Sequence, residues 1–156
     1  MRILALLLNH RLGYSFGPQD FNALVRRAAS SQRAMAAECG VTQRVELDPG
    51  QPVVVADPNE IDSALRSLIA YVIRITPDRG SVAVSTVASS EMATVTVVGI
   101  GNPGLTNATP ASDTLLDSDE LAVVRLIVAA HDGRFEATLS PEGGAVFRVH
   151  LPLHRE

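Results

Sequence analysis

The sequence predicts an α/β protein, a two-layer sandwich with a mixed, mostly antiparallel sheet and its helices on one face. Three observations predict it. Segments of helical period alternate with pairs of short strands, in the order helix, strand, strand, three times over. Strands rich in β-branched residues follow one another across brief turn signals, as hairpins do. With 156 residues, 46% of them hydrophobic, the chain is long enough for one core and too short for two.

Residues 1–13, "MRILALLLNHRLG", read as one short, very apolar helix closed by Gly13. Leu4, Leu7, Leu8 and Leu12 fall along one face of it, and Ile3 and Leu6 widen that face into a broad arc. The apolar run is too short for a membrane span and has no small-residue cleavage pattern, so neither a span nor a signal peptide is expected. "GYSFGPQD" then serves as a turn-rich connector over residues 14–20, and residues 21–156 form the domain proper.

Asp20 is a good N-cap for a helix through "FNALVRRAASSQRAMAAEC", where Phe21, Leu24, Val25, Ala28 and Met35 recur at helical spacing. Cys39 sits at its end as a small apolar residue, before a terminating Gly40. "VTQRVELD" alternates as a half-buried strand, Pro49-Gly50 turns the chain, and "PVVVA" reads as a short buried strand. Asp57 caps the next helix with Pro58 at its first position. That helix buries Ile61, Leu65, Leu68, Ile69, Val72 and Ile73 and ends near Thr76-Pro77. "GSVAVSTVA" and "MATVTVVGI" make a hairpin, and "GNPGLTNATPASD" a polar loop. Ser118 or Asp117 opens the helix "ELAVVRLIVAAH", and "RFEATLS" and "GAVFRVHLP" close the chain as a second hairpin.

The bulk chemistry excludes several functions. A net charge of −4 gives a nucleic-acid backbone no attraction, and a single cysteine excludes an internal disulfide and fits a reducing, cytoplasmic setting. His150 and His154 lack metal-ligand spacing, and His131 ends a helix, where a histidine meets the dipole favourably.

The order of elements, with the stretches from Phe21 to Ile69, "RITPDRGSVAVSTV" and "LAVVRLIVAAHDGRFEATLSPEGGAVFRVHLP", resembles the ATP-binding domain of sensor histidine kinases, in the GHKL ATPase superfamily. The resemblance runs from about Phe21 to Pro152. It implies the Bergerat-type sandwich, and it implies ligand positions that this chain fills differently. Aligned on Arg74 and Thr76-Pro77, the places of a Glu that assists the attacking group and an Asn that holds magnesium are Ala70 and Tyr71. A methyl is no base, and a phenol is a poor substitute for an amide oxygen on Mg²⁺. Aligned on Pro103-Gly104-Leu105, the adenine-binding Asp becomes Ile100 and the first glycine Asn102, with Gly104 retained. Losing such a charge-assisted bond costs about 1.5–3 kcal/mol. The phosphate cradle reads "LLDSDELAVV", with Asp117, Asp119 and Glu120 suited to a helix N-terminus and repelling a triphosphate. Ala145 stands where the closing hairpin of the family offers a Thr.

The expectation from these positions is a non-catalytic, degenerate ATPase domain without ATP, metal or other cofactor. It would be a protein-interaction or scaffold module in bacterial signalling or complex assembly. Its partner would be a protein, either a second copy bound through the N-terminal helix or another chain; nucleic acid and membrane are not expected. The alternative is a divergent histidine kinase, or a histidine phosphotransferase working through His10, although "LLLNHRLGYSF" lacks the acidic residue and proline that usually follow a phosphorylated histidine. An anti-sigma-like relative is a third reading; such relatives normally keep the ATP site.

Overall fold

The computed structural model of the chain describes residues 15–101, 119–139 and 144–154. The N-terminal helix expected over residues 1–13, with His10 and the proposed association face, lies outside them.

Strand β1 (Gly17–Asp20) leads into helix α1 (Phe21–Ser31) and the shorter α2 (Arg33–Glu38). Next come β2 (Thr42–Glu46), β3 (Val53–Ala56) and the long helix α3 (Pro58–Ile75). The hairpin β4 (Ser81–Ala88) and β5 (Met92–Ile100) precedes helix α4 (Asp119–Ala130). Strands β6 (Arg134–Leu139) and β7 (Ala145–Pro152) close the chain.

The main sheet has the order β2-β4-β5-β7-β6. Only β2 and β4 run parallel, because β3 and α3 cross over between them; the other pairs are antiparallel. Strict alternation on β5 and β7 puts Ala93, Val95, Val97, Ala145, Phe147, Val149 and Leu151 beneath the helices. Helix α3 lies between α1 and α4 and contributes Ile61, Leu65, Leu68, Ile69, Val72 and Ile73, all essentially inaccessible to solvent. The expected sandwich and its one-sided helices are therefore present.

Three local readings change. Residues 17–20 form a strand rather than a connector, pairing antiparallel with β3 as a separate two-stranded sheet. β3 is accordingly only half buried: Val54 and Ala56 face inward, while Val53 and Val55 are each 39% exposed. The long first helix breaks at Gln32 (φ −104°, ψ 4°), whose N–H reaches back to Ala29 O. Ser31 Oγ donates to Ala28 O at 2.7 Å, the kind of local bond by which serine competes with the helical ladder.

Gly40 ends α2 at φ +69°, where a Cβ would stand 1.9 Å from Asp78 Oδ1. No helix among the described residues is long and apolar enough to cross a membrane.

Candidate functional site

Helix α3 is fixed at both ends by its own sequence. Asp57 Oδ1 accepts the N–H groups of Asn59 (3.0 Å) and Glu60 (3.1 Å), with Pro58 at the first position. At the other end Thr76 Oγ1 donates to Val72 O at 2.6 Å before Pro77 forbids another turn. Between these points Ser63, Ser67, Ala70 and Arg74 recur at spacings of three and four and so share one outward face.

That face floors an open groove of about 350 Å³, lined by Gln32, Ser63, Arg66, Ser67, Ala70, Arg74 and Glu120. Arg66 pairs with Asp62 one turn back at 2.8 Å. Arg74 donates through Nη2 to Glu120 Oε2, joining the C-terminal part of α3 to the first turn of α4. Both side chains of this second pair are nearly half exposed.

Tyr71 leaves the groove. It is 5% exposed and meets Phe147 edge-on, with centroids 6.0 Å apart and planes at 86°. Phe147 in turn stacks on Phe135 at 6.2 Å, with the Arg125 guanidinium 5.3 Å over that ring. Tyr71 is thus a core residue. Ala145 is buried too, paired across the sheet with Gly99 and Leu139. Ile100 is 49% exposed at the end of β5, and Asp119 is exposed in the first turn of α4. Asn102, Gly104 and Asp117 lie outside the described residues. The structure thus brings Ala70 and Glu120 to one groove and separates Tyr71, Ala145 and Ile100 from it.

His131 follows the end of α4, as the sequence suggests, with its ring turned inward. It is 4% exposed; its Nε2 accepts the Asp57 N–H at 3.1 Å and its Nδ1 donates to Ile127 O at 2.7 Å. Burial holds its pKa below the ordinary histidine value, against the opposing pull of the Ile127 carbonyl and the Asp57 charge. The Phe16 ring packs on it at 4.7 Å, and Ser15 N–H donates to Asp57 Oδ2 at 2.7 Å. The neutral imidazole therefore ties the start of α3, the end of α4 and the segment before β1 together. On the opposite face of the sheet, Thr94, His150 and Glu136 form a hydrogen-bonded row of 2.7 and 2.5 Å, and the His150 bond lowers the Glu136 pKa.

The chemistry of the donors decides whether a nucleotide's magnesium suits this groove. The positions that the resemblance assigns to it do not fit, since Ala70 has no donor and the Tyr71 ring is packed in the core. Elsewhere in the lining, beside the Arg66 and Arg74 guanidinium groups, Glu120, Ser63, Ser67 and Gln32 carry hard oxygen atoms of the kind Mg²⁺ takes, and phosphates held by the arginines would leave Glu120 free for the cation. No group of three or more His, Cys, Asp or Glu side chains placed to hold a metal occurs among the described residues. Sequence reasoning missed Arg74 as a site residue, together with Gln32, Ser63, Arg66 and Ser67; the spacing of 63, 67, 70 and 74 was the available signal.

The sandwich and the order of its elements match the fold of histidine-kinase catalytic (ATPase) domains, as the comparisons with known proteins show. The catalytic domain of histidine kinase ThkA superposes with a TM-score of 0.74 at 20% identity, covering 88% of this chain and 97% of that one. Histidine kinase AdeS of Acinetobacter baumannii gives 0.75 at 20% identity, covering 99% of this chain and 75% of that one. Full-length ShkA, solved in complex with AMPPNP, gives 0.73 at 21% identity over 98% of this chain and 36% of its own. In sequence, the chain is 30% identical over 149 residues to the sensor protein FixL of Bradyrhizobium diazoefficiens, covering 88% of this chain and 29% of FixL. It is 28% identical over 126 residues to the adaptive-response sensory kinase SasA of Nostoc sp., covering 72% of this chain and 31% of SasA. The chain thus spans under a third of the length of either relative. No protein-family profile matches it.

These findings correct the expectation that the chain is not an enzyme. Its relatives and structural neighbours are sensory and histidine kinases. The substitutions at Ala70, Tyr71 and Ile100 change ligands and do not by themselves show that activity is lost.

Proposed function

We propose that the chain is the nucleotide-binding catalytic domain of a divergent sensor histidine kinase in bacterial signalling, with Arg74 holding the phosphate end of ATP. The observation that carries this reading is the position of the Arg74 guanidinium, in an open groove against the first turn of α4. The resemblance puts the phosphate cradle at that turn. A planar guanidinium matches phosphate oxygens bidentately, and the N-terminal end of α4 adds the positive end of its dipole. AMPPNP bound to ShkA, which shares the fold, supports a nucleotide here.

A methyl at Ala70 is compatible with this chemistry. Phosphoryl transfer depends mainly on positioning and electrostatic stabilisation, with little covalent work left to the protein. An acceptor imidazole is mostly neutral at pH 7 and already carries its lone pair, so no side chain has to strip it of a proton before attack. The new bond forms between imidazole nitrogen and terminal phosphorus as the bridging oxygen leaves with ADP. Magnesium, when bound, supplies charge neutralisation across the phosphate oxygens. The residues of the chain supply the hold: Arg74 orients the phosphates, and the α4 terminus faces them.

The test is titration of the full chain with the fluorescent analogue TNP-ATP, displaced by ATP. Saturable binding that ATP displaces is expected, weakened about ten- to a hundredfold by Arg74→Ala, the size of a lost bond to a charged group. Binding that Arg74→Ala leaves untouched, or no displaceable binding, overturns the reading.

A further inference from the structure

We propose that Glu120 is the magnesium-ligating carboxylate of this site, taking over from the first turn of α4 the task that the family resemblance assigns to α3. The inference rests on the nucleotide reading above and adds to it a metal ligand in a new place.

Helix α3 offers the groove no carboxylate or carboxamide at positions 70 and 71: one is a methyl, and the other is a ring packed on Phe147. Of the groove-lining residues, Glu120 alone is acidic; the oxygens of Gln32, Ser63 and Ser67 accompany it. Mg²⁺ in phosphate sites is typically held by one or two carboxylates, substrate phosphates and retained water, a demand that one glutamate can meet. Asp119, its neighbour, is exposed and does not line the groove.

The Arg74–Glu120 pair places the carboxylate without locking it. The partners lie 46 residues apart on two helices, and each side chain is close to half exposed, so solvent screens the pair and either group can turn. When a magnesium–nucleotide enters, both charges find new partners at once: the guanidinium turns to a phosphate and the carboxylate to the cation. Without the metal the same carboxylate only repels the phosphates. Glu120 thereby makes nucleotide binding conditional on magnesium.

The experiment is isothermal titration of the full chain with ADP, in EDTA and in excess Mg²⁺, for the wild type and Glu120→Gln. Magnesium should strengthen ADP binding to the wild type about tenfold or more. In Glu120→Gln that gain should vanish while metal-free affinity stays equal or rises. Electron paramagnetic resonance of Mn²⁺ gives a second readout: wild-type protein should deplete the free-ion signal beyond the depletion that ADP alone causes, and the variant should add nothing to it. An unchanged magnesium response in Glu120→Gln, with nucleotide still bound, overturns this assignment and leaves the nucleotide reading standing. Affinity that rises equally with and without magnesium makes Glu120 a simple plug and also overturns it. No ADP binding to the wild type in either buffer fails both.

Discussion

Tyr71 is the residue where the resemblance and the structure diverge most, and its truncation has a calculable consequence. The ring is 5% exposed and lies edge-on to Phe147, which is itself fully buried. Replacing it by alanine removes an aromatic side chain from a packed cluster that α3 cannot refill, since Leu68 and Val72 on the same helix are already fully engaged in the core. Such truncations cost about 3–5 kcal/mol, of which about 0.5–1.5 kcal/mol is the aromatic pair beyond its area. For a domain of this size each kcal/mol lowers Tm by about 2–4 °C, so Tyr71→Ala should melt roughly 6–20 °C below the wild type. Calorimetry gives the shift, and urea titration shows whether the m value is unchanged and the loss therefore one of stability. Tyr71→Phe keeps the ring and should lose no more than about 0.5–1.5 kcal/mol. Tyr71→Asn, which restores the family's residue type, should be at least as damaging as alanine, because it leaves an amide in apolar surroundings. A loss below about 1 kcal/mol for Tyr71→Ala would refute the placement of the ring in the core.

Two further predictions follow from local geometry. His131 is buried neutral with a folded pKa below its ordinary value of about 6.5, so the unfolded chain takes up the proton first. Stability should therefore be fully present above that value and be lost as pH falls from it through the folded pKa; His131→Gln should flatten this part of the urea-midpoint profile, and an identical slope in the variant would contradict the assignment. Arg79 adopts φ 70°, which costs a side-chain-bearing residue about 1–2 kcal/mol, partly offset by the greater chain entropy of glycine. Arg79→Gly should raise stability by about 0.5–1 kcal/mol with the Arg79 N–H to Gly40 O bond kept, and a lowered urea midpoint would count against it.

Much of the fold was legible because its boundaries are written locally. Asp57-Pro58 and Thr76-Pro77 bracket α3, and runs dense in β-branched residues mark β4 and β5. The break at Gln32 was not legible, because the helical period of the apolar residues runs on from Ala28 to Met35 across it. "PVVVA" announced a strand but not its partner, and pairing with residues 17–20 is a tertiary outcome. The candidate site was less legible still. Ala70 and Glu120 could be named from the resemblance, yet Arg74 and Glu120 meet only when α3 and α4 pack side by side. The acidic first turn of α4 read as repulsive because its arginine partner lies far off in sequence. The place of His131 at a helix end was legible, but its hydrogen bond to Asp57, 74 residues away, was not.

The central claim, that the groove between α3 and α4 is a nucleotide site, is tested most directly by amide chemical-shift mapping of the ¹⁵N-labelled chain during titration with ADP and Mg²⁺. Saturable shifts should concentrate at Gln32, Ser67, Ala70, Arg74 and Glu120, while Thr94, Glu136 and His150 on the far face of the sheet stay still. Shifts confined to that far face, or no saturable shift at millimolar nucleotide, would contradict the claim.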